Sequence, residues 1–214
     1  TGDDVYEICQ LYNDSGIDKI VIFDLSTSDE EHENNINTIR NINRNIDIKV
    51  CAGGNINRLE DIKKLLYAGC LQVILNASKP SSIGLAKEAS TRFGKDRILL
   101  SISNVDFIFK NRKIIENTFH EVLVLNPDIL DALENLTNIP YVVELPEYHF
   151  EKIVSLLKRE KIRGIAGPFI NDKSTDIMKL KSSLSREGIH MFNFAPDLQW
   201  SDLKLNSDGI VPVI

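Results

Sequence analysis

Tryptophan occurs once in this sequence, methionine twice and cysteine three times. Cys9, Cys51 and Cys70 are scattered through apolar surroundings. That spacing offers neither a disulfide framework nor a metal knuckle and suits free thiols in a reducing compartment. Runs of apolar residues are short; none approaches the ~18 needed for a membrane-spanning helix. Basic residues are outnumbered, 25 Lys and Arg against 31 Asp and Glu, for a net charge of −6. No basic stripe offsets that charge, which argues against nucleic acid as a partner. His32, His120, His149 and His190 are far apart and form no HxH or HExxH, so they read as surface or packing residues rather than metal ligands or bases. No GxGxxG follows any apolar run, which removes the dinucleotide-binding fingerprint. No leader-like stretch opens the chain, although it begins on Thr1 rather than Met, and the expected location is the cytoplasm.

What is present is alternation of two periodicities. KIVIFD (19–24), IKVCA (48–52) and LQVIL (71–75) are short runs rich in β-branched residues, separated by stretches with helical spacing. The first helix is expected to be capped by Asp3 or Asp4. The second carries Ile36, Ile39, Ile42 and Ile46 on one face, and the third has a capping box of Asn57 with Glu60. Strand–helix–strand at this spacing implies parallel strands joined by crossover helices. The unit repeats through RILLSIS (97–103), EVLVLNP (121–127), YVVELP (141–146) and RGIAGPF (163–169), with FIFKNRKII left open between hairpin and helix. Seven strands, each with a crossover, are one unit short of a closed (β/α)₈ barrel; an open doubly wound sheet is the competing topology. The charged clusters 63–64 and 158–161 read as solvated helix faces.

In such folds, chemistry sits on the loops leaving the carboxyl ends of strands. Asp24 ends the first strand, where it can meet a ligand or tie down a neighbouring loop. AGGN (52–55) ends the second, where Gly53 and Gly54 can let backbone approach an anion or simply make a tight turn.

TGDDVYEICQLYNDSGIDKIVIFDLS and IKVCAGGNINRLEDIKKLLYAGCLQVILNAS resemble consecutive stretches of the histidine-biosynthesis (β/α)₈ barrels. These are the imidazole glycerol phosphate synthase cyclase subunit and its phosphoribosylformimino isomerase relative. The resemblance implies a barrel over residues 1–190 that lacks its first βα unit, with two phosphate sites and two catalytic acids on opposite strands. It places residual phosphate binding on Gly53, Gly54, Asn55 and Asn76, and a substrate-facing carboxylate on Asp24. Several positions depart from the pattern. Asn55 stands for a glycine and Ala77 for a hydroxyl donor. Ser103 stands where the second catalytic acid is expected, and a hydroxyl cannot serve as a carboxylate base near neutral pH. Asp106 is the weak substitute. Asn126-Pro127 replaces an Asp-Gly segment, while Leu145-Pro146 and Gly167-Pro168 replace phosphate-binding pairs. The losses point to a barrel released from catalysis.

From residue 191 the helical pattern stops. WSDLKLNSDGIVPVI (200–214) resembles the opening of phosphoribosyl-AMP cyclohydrolase, with Trp200 expected to pack the linker. The two resemblances together imply a non-catalytic barrel covalently linked to a downstream phosphoribosyl-AMP cyclohydrolase domain, with or without a phosphoribosyl-ATP pyrophosphatase domain after it. Zinc and magnesium would belong to that domain, and no cofactor to this segment. A phosphoribosyl intermediate is the expected small partner. An active cyclase- or isomerase-like barrel, or a plain phosphosugar-binding module, are the alternatives.

Overall fold

The computed structural model describes residues 2–167 and 176–192. The chain alternates helices and strands: α1 (Gly2–Asp14), β1 (Lys19–Phe23), α2 (Asp29–Asn45), β2 (Lys49–Gly53), α3 (Leu59–Tyr67), β3 (Gln72–Asn76) and α4 (Ser82–Phe93). It continues with β4 (Ile98–Ile102), α5 (Asp106–Thr118), β5 (Glu121–Val124), α6 (Leu130–Leu136), β6 (Tyr141–Glu144), α7 (Phe150–Leu157), β7 (Ile162–Ala166) and α8 (Ile177–Arg186). The ambiguous segment at 107–115 is therefore helical, with Asn111 in a non-helical conformation at a kink (φ −123°). The tail from 193 onward, including Trp200, lies outside the described residues.

All seven strands are parallel and their order in the sheet follows the chain, β1 to β7. A doubly wound sheet would reverse direction at a switch point; this one does not, and the barrel-like reading holds. The sheet is strongly curled. Lys19 on β1 and Glu121 on β5 are four strands apart, about 19 Å along a flat sheet. Their side chains nevertheless meet at 3.5 Å across the interior. The helix layer closes further still. Buried Lys181 of α8 reaches Asp18, just before β1, at 2.6 Å. Yet β1 and β7 form no ladder with each other among the described residues, so the seven strands are a barrel with one unit missing.

Two apolar sets follow from strand alternation. Ile20, Val50, Ala52, Val73, Leu75, Ile98, Leu100, Val122, Val124, Tyr141 and Val143 face the helices and pack on Ile36, Ile39, Ile42, Ile62, Leu65, Ile108, Ile115 and Leu133. Cys51, Ile74, Leu99 and Leu123, with Val142 and Ala166, fill the concave interior.

Helix starts differ from expectation in two places. Asp3 and Asp4 lie inside α1, which begins at Gly2, rather than capping it. At α3 the carboxylate that reaches back is Asp61, accepting from the N–H groups of Asn57 and Arg58 at 3.0 and 2.8 Å, because the N-cap is Arg58. Glu60 is instead an exposed partner of Lys63. Nor is the 158–161 cluster wholly solvated: Arg159 is held by Asp131 and Glu134 at 2.7 and 2.6 Å.

Candidate functional site at the carboxyl ends of the strands

The loops after β2 and β3 converge at one side of the barrel mouth. Gly54 adopts φ +81° and Asn55 follows at φ +44°, so the chain makes two successive left-handed turns. The reason for glycine at 54 is close approach: a Cβ there would lie 2.1 Å from the carbonyl oxygen of Asp24. Asn55 tolerates its conformation as asparagine does, its side-chain amide donating to Ser26 Oγ at 2.9 Å. From the next loop, Lys79 Nζ donates to Asn57 Oδ1 at 3.2 Å and to the carbonyl of Ile56 at 3.5 Å. No carboxylate pairs with Lys79 among the described residues. Exposed Asn76, the last residue of β3, accepts from the Ser78 N–H at 2.8 Å. The expected cluster of Gly53, Gly54, Asn55 and Asn76 is thus carried by two adjacent loops. The cation among them, Lys79, was missed in the sequence, where a lysine before a helix start is a weak signal.

Of the two roles open to Asp24 in the sequence, the geometry fits the tie to a neighbouring loop. Phe23 lies beside Gly53 and Ile74 on the concave side, so alternation turns Asp24 towards the helices. Its carboxylate is 7% exposed and accepts from the Ser26 N–H at 2.9 Å and the Asn35 amide at 2.6 Å, and contacts His32 Nδ1 at 2.5 Å. Burial pushes this carboxyl up, and the hydrogen bonds from His32, Asn35 and Ser26 together outweigh it, holding its pKa below the ordinary value. His32 Nε2 is buried without a hydrogen-bond partner among the described residues, 3.8 Å from Asp61 Oδ1. Asp61 is likewise held low: burial raises its pKa, and the N–H groups of Asn57 and Arg58 with the Arg58 guanidinium more than offset this. Asp24–His32–Asp61 is therefore a buried polar wedge joining the β1 exit loop to α2 and α3.

Ser103 is exposed one residue beyond β4, at the strand end where the resemblance puts an acid. Asp106 is three residues further, the first residue of α5, and also exposed. At the seventh-strand position the Leu145 N–H is consumed by Ala166 O at 2.8 Å, and Pro146 has no N–H to give. Pro168 lies outside the described residues.

The thiols are inert by environment. Burial pushes Cys51 up to about 11 and Cys70 up to about 12, and raises Cys9. All three are buried and free. We expect no reaction with a disulfide reagent at pH 7.5 in the folded protein and three thiols titrated in denaturant; fast modification of any thiol in native buffer would contradict the packing.

A curled parallel sheet lacking one unit, with a glycine-bearing turn after β2 and a lysine after β3 at the carboxyl ends of its strands, defines the class: a (β/α) barrel. The histidine biosynthesis protein family profile matches residues 1–136, and the chain belongs to that family. Among curated relatives, imidazole glycerol phosphate synthase subunit HisF of Staphylococcus saprophyticus is 26% identical, the match covering 83% of this chain and 84% of the relative. The same subunit of Wolinella succinogenes is 26% identical over 88% and 87% of the two chains. That of Helicobacter hepaticus reaches 37%, over 46% of this chain and 39% of its own. Among the described residues no helix is long and apolar enough to cross a membrane.

Proposed function

We propose that this chain serves histidine biosynthesis as a barrel of the imidazole glycerol phosphate synthase cyclase kind, holding the phosphate of a ribosyl ligand between the loops after β2 and β3. The observation that carries this reading is the convergence of Gly54, Asn55 and Asn76 with Lys79, whose ammonium rests, among the described residues, on neutral oxygens alone. A phosphate monoester would supply the missing counter-charge. The similarity to cyclase subunits over most of their length supports it.

The test is ligand-linked stability. Ribose 5-phosphate at ten times its Kd should raise Tm by roughly 3–5 °C. Lys79→Ala should lose most of that shift while melting normally without ligand. No shift at millimolar concentration would refute the phosphate hold.

A second reading is favoured by Ser103. With a hydroxyl where the acid is expected, the barrel binds without turning over and acts as the leading part of a longer hydrolase, as the 200–214 tail also suggests. Assaying imidazole glycerol phosphate formation separates the two. Product from the unmodified barrel supports the cyclase; product only from Ser103→Asp supports the binding role.

A further inference from the structure

Behind the loop after β2 lies a closed circuit of side chains. Its inner member is His32 of α2, 3% exposed, set between Asp24 and Asp61, which are 7% and 1% exposed. A carboxylate only accepts, so His32 Nδ1 donates to Asp24 Oδ2 at 2.5 Å. Asp24 Oδ1 accepts from the Ser26 N–H at 2.9 Å, and Ser26 Oγ accepts from the Asn55 amide at 2.9 Å. The Asn57 amide donates to Asn55 Oδ1 at 3.2 Å, and the Asn57 N–H donates to Asp61 Oδ2 at 3.0 Å. Asp61 Oδ1 faces His32 Nε2 at 3.8 Å, which closes the circuit. Lys79 hangs from it, because Asn57 Oδ1 accepts from its ammonium at 3.2 Å. Packing does not account for a histidine here. Ile36, Ile39 and Ile42 bury the same helix with no polar atom, whereas His32 Nε2 is buried without a hydrogen-bond partner among the described residues, which costs stability. What imidazole has and an aliphatic side chain lacks is a nitrogen on each edge, one for each of the two carboxylates behind the 55–57 turn.

Resting on the phosphate hold proposed above, we infer that His32 is a positioning residue for it: by bridging Asp24 and Asp61 it fixes Asn55 and Asn57 relative to each other, and with them the place of the Lys79 ammonium. Buried as it is, His32 acts only through its two carboxylates. Groups held in place before a ligand arrives lose less freedom when it binds, so loosening them shows as lost affinity.

Two variants divide the contacts. His32→Leu removes both. His32→Asn keeps an amide donor near the Nδ1 position and removes only the atom facing Asp61, so it should fold even where His32→Leu does not. Leu133→Ala, a core truncation on α6, controls for lost stability alone. In ligand-free protein, hydrogen exchange of the Asn57 and Arg58 N–H groups should quicken by about tenfold in His32→Asn, and far less in Leu133→Ala. Calorimetry with ribose 5-phosphate, well below every melting temperature, should give binding about tenfold weaker in His32→Asn and an unchanged Kd in Leu133→Ala. Unchanged exchange or an unchanged Kd in His32→Asn, or equal losses in Leu133→Ala, overturns the inference and leaves the phosphate hold standing. Failure of the unmodified protein to bind ribose 5-phosphate overturns the two together.

Discussion

Gly54→Ala should leave little folded protein. At φ +81° the added methyl imposes a left-handed conformation costing about 1–2 kcal/mol. The steric term is larger. The new Cβ would lie 2.1 Å from Asp24 O, 2.8 Å from its N and 2.9 Å from its C, all backbone atoms. Asp24 cannot retreat easily, because its N–H donates to Gly53 O at 2.7 Å while its carboxylate is tied to Ser26, Asn35 and His32. Relief would require separating β1 from the loop after β2, for a total above about 4 kcal/mol. That is a large part of a typical domain's 5–15 kcal/mol, roughly. Gly84→Ala is the internal control: it lies within α4 with nothing within 4 Å of its Cβ position, and should gain up to about 1 kcal/mol. Urea midpoints for the two variants should move in opposite directions. A Gly54→Ala midpoint within experimental error of the unmodified protein would mean that the β1–β2 contact has been misjudged.

The second large effect is at Asp24. Asp24→Asn replaces an acceptor of three hydrogen bonds by a group that must present a donor to one of these partners, in a pocket closed to water. We expect a loss of about 2–4 kcal/mol. The pH dependence gives an independent readout. Asp24 and Asp61 both have folded pKa values below their ordinary ones, so near pH 4 the unfolded chain binds more protons than the folded one. Stability from these groups is complete above the unfolded carboxylate pKa, about 4, and is lost as pH falls through the lower folded values. The unmodified protein should thus weaken steeply from about pH 5 downward, while Asp24→Asn, already short of one contributor, should show a shallower slope. Parallel pH profiles for the two proteins would remove Asp24 as a source of acid sensitivity.

Much of the architecture was readable before any coordinates. KIVIF, KVCAG and QVILN are β-branched runs of strand length, and the isoleucines at 36, 39 and 42 recur at helical spacing. Local sterics and hydrophobic periodicity act over a few residues, so such elements can be located from neighbours in the chain. The seven-strand count followed the same way. Capping was less legible: a one-residue shift of the α3 start exchanges Glu60 for Asp61, and nothing local ranks the two. The 107–115 segment was ambiguous because its apolar residues fit either period. Only burial of Ile108 and Ile115 against the sheet selects the helix.

The site divides along the same line. Gly54 was found because a backbone requirement leaves its mark on one residue. Asp24 was found as well, but its direction was not, since one step of strand alternation decides between ligand and helix layer. Lys79 was not singled out at all; its meaning depends on what it lacks among the described residues, an opposing charge, and that is a property of its surroundings rather than of its neighbours in sequence.

What the residue order decided unaided is the sequence of elements, their parallel sense and the glycine-bearing turn, because each rests on interactions between residues close along the chain. What only three dimensions decided is the curl that brings Lys19 to Glu121 and the closure of α8 on Asp18. Those outcomes follow from packing among residues more than a hundred positions apart, and no local pattern encodes them.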